Sequence, residues 1–334
     1  MWNRERIHWG IAALAFPILI LIVGCEKQDP VPAGKDRPKI AGIFLHEDQF
    51  FRLVQFGMKE AARQAGAELL LASSDGKLDK ELQLVNTYIA RQVDAIVLSP
   101  LSATASATAL ARAQNAGIRV VTYNTTVDGE VPVCFIESDQ SGLGSQTGRI
   151  ARNYIEERFG GRAQIAILAF KSLLPEQSDA RTNGFKKEIA ILPGAQIVAE
   201  QDAWSPEMGI RKVGDILTAN PRVNLIWCSN EGGTVGAVMA VRNAGRGGEV
   251  KVFGTDVSEQ IISFLLSEDQ ILQATTGQKP FEIGSQAVSI AADAIQNRAV
   301  QRRVSMSGVL LTRGDQDAVR DYRDWLQKLI RRGD

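Results

Sequence analysis

The chain has 334 residues, and its 38 Lys plus Arg balance 38 Asp plus Glu, giving a formal net charge of +0 at pH 7. No basic block interrupts the body, which argues against a nucleic-acid partner. There are two histidines, of which His8 lies near the N-terminus and His46 stands alone, so a His-based triad or zinc centre is not expected, nor any cofactor or metal.

Arg4 and Arg6 precede an apolar run over 7–23, broken by His8, Gly10 and Pro17, which ends in Ile22-Val23-Gly24-Cys25. A basic start, an apolar middle and a small residue at the cut site make a secretory signal over 1–24. The tetrapeptide resembles the lipobox of bacterial lipoproteins. That resemblance implies a diacylglycerol on the Cys25 thiol and Cys25 as the first residue of an exported, membrane-anchored form. An uncleaved spanning helix is the alternative, near the lower length limit. The polar, Pro-rich stretch over 25–37 reads as a flexible tether.

Beyond it, short apolar runs alternate with amphipathic segments. A strand is predicted over 39–45, a helix over 51–65 ending at Gly66, a strand over 67–72, a helix over 78–91 and a strand over 95–98. A helix over 104–116 stops at Gly117, before strands over 118–122 and 133–136. The pattern then restarts with a helix over 141–158 and strands over 164–168, 195–199, 224–228, 250–254 and 271–276, with helices between them. A helix over 281–297, a strand over 305–311 and a helix over 317–331 complete the chain. Nearly all-apolar strands separated by helices indicate parallel sheets covered on both faces, so the fold class is α/β with two doubly wound, Rossmann-like lobes. Val319, Tyr322, Leu326 and Leu329 recur at helical spacing and pack the tail down. Cys134 and Cys228 fall within predicted strands and read as small buried residues rather than a disulfide. The charges alternate in sign along the helices and read as solvated faces.

Ligands of such sheets sit beyond the carboxyl ends of the strands. Collected there are His46 to Phe51, Tyr123-Asn124-Thr125, Arg181, Trp204, Asn230-Glu231, Thr255-Asp256 and Gln278. Aromatic rings with Asn, Asp, Gln and Arg suit a sugar, whose C–H faces stack while adjacent hydroxyls are gripped by bidentate groups. Arg181 and Asp256 can satisfy one another's charge. Each has a plainer reading: Asp256 as a helix cap in competition with Ser258, and Arg181 as a surface residue paired with Glu176 or Asp179. Of Phe50 and Phe51, one ring is expected to face the ligand and the other the core. The glycines of 142–148 lack the spacing of a dinucleotide fingerprint and are expected to let their helix pack closely on its sheet.

Over nearly all of 39–312 the sequence resembles the ribose-binding type of periplasmic solute-binding protein. Phe50 and Phe51 match that family's ring-stacking pair, and Asp48 stands where it has Asn. Arg181 precedes Gly184-Phe185 as the family's Arg precedes Gly-Phe, and Trp204 takes the place of a Phe. Asn230, Asp256 after Val252-Phe253-Gly254-Thr255, and Gln278 before Gly284 occupy further site positions. The departure is Asn124-Thr125, where the family carries Asp-Arg; fewer fixed charges there imply a different hydroxyl pattern, a larger sugar or a non-sugar polar ligand, so the ligand need not be ribose. The ligand set implied is Asp48, Phe50, Phe51, Asn124, Arg181, Trp204, Asn230, Asp256 and Gln278.

The resemblance implies two lobes, 38–136 plus 277–310 and 137–276 plus 311–334. A hinge of three crossings would join them, near Ile136-Glu137, Thr275-Thr276 and Leu310-Leu311. It further implies a monomeric, extracytoplasmic substrate-binding lipoprotein that closes on a monosaccharide or related polyol and delivers it to an ABC permease. The alternative is a subunit presenting a sugar-like signal to a chemoreceptor or sensor kinase. A sugar-repressor regulator needs an N-terminal DNA-binding unit where this chain has an export signal. No nucleophile–base pair suggests an enzyme.

Overall fold

The computed structural model describes residues 37–333. The leader over 1–24, Cys25 and the tether as far as residue 36 lie outside the described residues. The chain begins with β1 (Lys39–Phe44), α1 (Gln49–Ala65), β2 (Glu68–Ser73), α2 (Leu78–Ala90), β3 (Ala95–Leu98), α3 (Ala103–Asn115), β4 (Arg119–Tyr123) and β5 (Cys134–Ser138). The alternation resumes with α4 (Gln140–Phe159), β6 (Ala163–Ala169), α5 (Pro175–Ile189), β7 (Ala195–Asp202), α6 (Pro206–Ala219) and β8 (Leu225–Cys228). There follow α7 (Glu231–Asn243), β9 (Lys251–Thr255), α8 (Glu259–Leu266) and β10 (Leu272–Gly277). The last elements are α9 (Pro280–Ile295), β11 (Arg303–Met306), β12 (Val309–Thr312) and α10 (Gln316–Gly333).

Local chemistry explains the element ends. Asp48, Ser102, Asp139, Ser205, Asn230 and Ser258 each accept a backbone N–H three residues on and so start a helix. Gly66 ends α1 at φ 64°, a left-handed position that costs glycine little. β3 reads Ala-Ile-Val-Leu and is wholly buried, because helices cover both faces of its sheet.

Two 6-stranded sheets result, in the orders β2-β1-β3-β4-β5-β11 and β7-β6-β8-β9-β10-β12. Neighbouring strands are parallel apart from the antiparallel β10–β12 pair. Both sheets reverse direction in the same way, beside β1 and beside β6, and a crevice opens at each reversal.

The chain passes between the sheets three times, at positions shifted from those expected. The stretch predicted as one strand over 305–311 is two strands in different sheets, so the third passage is at Ser307–Gly308 and not at Leu310–Leu311. Pairing sets the other two. β11 pairs Ser305 and Met306 with Glu137 and Ser138, carrying β5 past Ile136. β12 pairs Val309 with Gly277, carrying β10 past Thr276, so the passage falls at Gln278–Lys279. Polar residues at a ladder's end carry no apolar signal, and their pairing partners lie far along the chain.

α1 and α9 cover one face of the first sheet, through Val54, Met58, Ile283 and Ala287, while α2 and α3 supply Val85 and Leu110 to the other. In the second sheet Phe185 and Trp227 stack at 4.6 Å, and Trp227 Nε1 donates to Thr147 Oγ1 at 3.0 Å. Val319 and Leu326 of α10 are buried in the other core of that sheet, with Tyr322 and Leu329 packed against it. Cys134 and Cys228 are free and buried, in different sheets. Burial raises both thiols, that of Cys134 to about 11. Among the described residues no helix is long and apolar enough to cross a membrane.

The glycines of α4 correct the expectation of close packing on a sheet. A Cβ on Gly144 would stand 1.8 Å from the carbonyl oxygen of Arg181, so the glycine admits α5, another helix, to backbone contact.

Candidate functional site

A cavity of about 290 Å³ lies where the carboxyl ends of the two sheets face each other. Of the residues expected in the ligand set, all but Trp204 line it. Trp204 is 41% exposed after β7, its carbonyl accepting from Asn230 Nδ2 at 2.8 Å.

The first sheet contributes Asp48, Phe50, Phe51 and Asn124. Asp48 is the N-cap of α1, with Oδ1 accepting from the Phe51 N–H at 3.0 Å. That cap starts the helix so that Phe51 enters the core while Phe50 stays half-buried, the rings meeting edge to face at 5.1 Å. Both rings line the cavity. Asn124 has φ 65° and its N–H bonds Ile136 O at 2.9 Å, a turn that bends the backbone at the end of β4. Thr125 turns away from the cavity, donating through Oγ1 to Pro100 O at 2.6 Å.

The second sheet contributes Arg181, Asn230 and Asp256. Arg181 is buried, which removes its reading as a surface residue; Asp179 pairs with Lys171 instead. Its Nε donates to Gln140 Oε1 at 2.7 Å and its Nη1 to Ser229 O at 2.9 Å and to Asp256 Oδ2 at 3.2 Å. The guanidinium lies 5.1 Å from the centre of the Phe170 ring. Asp256, at φ 71°, bonds Thr276 O through its N–H at 2.8 Å, the same turn at the end of β9 that Asn124 makes after β4. Its carboxylate also accepts from Gln278 Nε2 at 3.1 Å and from the Glu231 N–H at 3.1 Å. The cap of α8 is Ser258, not Asp256. Asn230 caps α7, so one side chain both starts a helix and reaches the cavity.

Gln278 stands at a passage between the sheets and joins them: Ser138 Oγ donates to its Oε1 at 2.8 Å while its Nε2 holds Asp256. Gln177 Nε2 donates to Asn124 O at 3.4 Å, a bond between α5 and the end of β4. A second cavity of about 250 Å³ shares Asp48, Phe50, Asp256 and Gln278 and adds Glu231 and Tyr322. Desolvation holds the Glu231 carboxyl above the usual carboxylate range; a Ser258 hydrogen bond offsets part of this, and the Asp256 and Asp48 charges add to it.

The strand-end reading passed over Phe170, Leu173, Leu174 and Gln177, which line the cavity from the turn after β6 and the start of α5. The available signal was two leucines in a polar loop directly after a strand and before Pro175. Among the described residues no cluster of His, Cys, Asp and Glu is placed to hold a metal ion.

A profile of the periplasmic binding protein domain matches residues 44–299. The chain belongs to the periplasmic binding protein family. This periplasmic binding protein is 28% identical over 279 residues to the ABC transporter periplasmic-binding protein YphF of Escherichia coli, covering 81% of this chain and 84% of that one. It is 28% identical over 253 residues to the D-apiose import binding protein of Actinobacillus succinogenes, covering 73% and 77%. An ABC transporter periplasmic solute binding protein from Actinobacillus succinogenes, crystallised with bound D-allose, superposes with a TM-score of 0.76 at 26% identity, over 84% of this chain and all of the other. The two α/β lobes joined by three passages are thus the fold of this periplasmic binding protein and of its solved relatives.

Proposed function

We propose that this protein is the substrate-binding component of an ABC importer, capturing a monosaccharide or related polyol between its lobes and handing it to a membrane permease. The observation carrying this reading is the composition of the cavity. A half-buried ring from one sheet faces an Arg–Asp–Gln cluster from the other, in a family whose relatives include D-apiose and D-allose binders. Binding needs no chemistry, and the protein acts as a monomer, exported and held at the membrane by a lipid on Cys25.

The residues divide the work. Phe50 offers a face for sugar C–H groups, and Asp48, Asn124 and Asn230 supply acceptors and amide donors for hydroxyls. Arg181 keeps Nη2 without a protein acceptor among the described residues, while its remaining donors fix its position. Gln278 ties Asp256 to Ser138 at the hinge, so a ligand on Asp256 acts on the segment that bends. Contacts made only when both lobes touch the ligand drive closure.

A thermal-shift screen of pentoses, hexoses, polyols and small amines tests the reading, since a ligand at a hundred times Kd stabilises by about 2.7 kcal/mol. A sugar or polyol should raise the melting temperature of the wild type and not of Asp256→Ala. Stabilisation by an amine alone would sink the sugar reading.

A further inference from the structure

Leu173 and Leu174 are 51% and 36% exposed, and both line the cavity that holds the Arg181–Asp256 cluster. They do not sit on a loose loop. Both of their N–H groups donate to Phe170 O, at 3.0 and 3.1 Å, and the Phe170 N–H is held by Ser178 Oγ at 3.1 Å. Between them and Phe170, the Ser172 N–H donates to Asp202 Oδ1 at 3.1 Å, and Ser172 Oγ donates to the same carboxylate. Lys171 pairs with Asp179 at 2.9 Å. Pro175 opens α5 and keeps Leu174 extended, at φ -139° and ψ 84°. Phe170 is buried beneath the Arg181 guanidinium. The turn is therefore anchored at both ends and presents two leucines on a fixed ledge.

The ledge changes what the cavity can accept. Polar groups gather around Asp256, and Gln177, the amide nearest the leucines in sequence, turns one N–H of its side chain to Asn124 O. A sugar hydroxyl pressed against the leucine side chains loses its water partners and gains none from them, whereas a methyl or alkoxy group there gains from leaving water. We propose that the ligand is a monosaccharide with an apolar substituent, a hydroxyl replaced by hydrogen or capped by a small alkyl group, seated on Leu173 and Leu174. This rests on the sugar reading of the same site.

The test is calorimetric titration of the full chain with a matched panel of pentoses and hexoses, each as parent, deoxy and O-methyl sugar. For the sugar that fits, the deoxy or O-methyl form should bind about tenfold or more tighter than its parent. In Leu173→Ser/Leu174→Ser, with its fold checked by circular dichroism, the ratio should fall to within about twofold. The wild-type ratio decides the matter even if that variant fails to fold. Parents binding as tightly as their substituted partners overturn the proposal and leave the sugar reading standing. A variant that weakens both forms equally also overturns it, assigning the leucines to lobe closure. No binding anywhere in the panel overturns the proposal and the sugar reading together.

Discussion

Arg181 Nη1 stands 3.2 Å from Asp256 Oδ2, with one side chain 3% exposed and the other 21%. The pair joins α5 to the turn after β9, and both partners line the cavity. Arg181→Ala should lower unfolding stability by about 3 kcal/mol, the low end for breaking such a pair, because Asp256 still reaches water. Arg181→Lys keeps the charge but lacks the planar fork. It should regain part of the stability and none of the ligand-induced stabilisation. Urea titration with and without ligand checks both, and a full ligand effect in Arg181→Lys would remove the guanidinium from the site.

Gly144→Ala should destabilise the protein and weaken ligand binding at once. Alanine gains up to about 1 kcal/mol in helix propensity, but overpacking typically costs about 1–3 kcal/mol, and the group in the way is the Arg181 backbone. Gly214→Ala in α6, where the added carbon meets nothing within 4 Å, should instead stabilise slightly. Melting temperatures and Kd values for the two variants separate packing from propensity. A neutral Gly144→Ala would show that the α4–α5 crossing tolerates spreading.

Glu81 is fully buried in α2, accepting from the Leu101 N–H at 2.8 Å and from Ser106 Oγ. Burial holds its carboxyl above its usual 4.5 despite those two bonds. The folded state therefore keeps a proton that the unfolded chain releases, and stability is lost as pH rises from the unfolded value through the raised folded one. Glu81→Gln cannot titrate. The stability of wild type relative to Glu81→Gln should be greater at pH 4.5 than at neutral pH, and parallel pH profiles would contradict this.

The lipid-anchor reading of Ile22-Val23-Gly24-Cys25 predicts that Cys25→Ser moves the protein out of the membrane fraction. Fractionation after high-salt washing reads this directly. A variant that stays with the membranes would point to the uncleaved spanning helix.

The parallel sheets were legible because apolar runs such as Ala95–Leu98 are too short for helices and alternate with amphipathic segments that cover both faces. The site was legible at strand ends where a polar residue follows an apolar run, as at Asp256 and Asn230. Those same positions misled on detail. Asp48 and Asn230 cap helices as well as reach the cavity, and no pattern in the sequence separates the two tasks. The glycines of α4 announced a close approach without naming the partner, since Arg181 lies far along the chain. The division of 305–311 between β11 and β12 depends on pairing with Ser138 and Gly277. Contacts between distant segments, invisible to local periodicity, account for each of these.

Asn124 and Asp256 occupy matching places in the two halves, each in the left-handed region and each pinned by its N–H to the neighbouring strand. Asparagine and aspartate tolerate that conformation better than other side chains, so neither tip bends without breaking its own turn. They are the two jaws of a caliper. With both tips held in shape, their separation follows from how the two sheets are set against each other, and that separation bounds the width of what the cavity can hold.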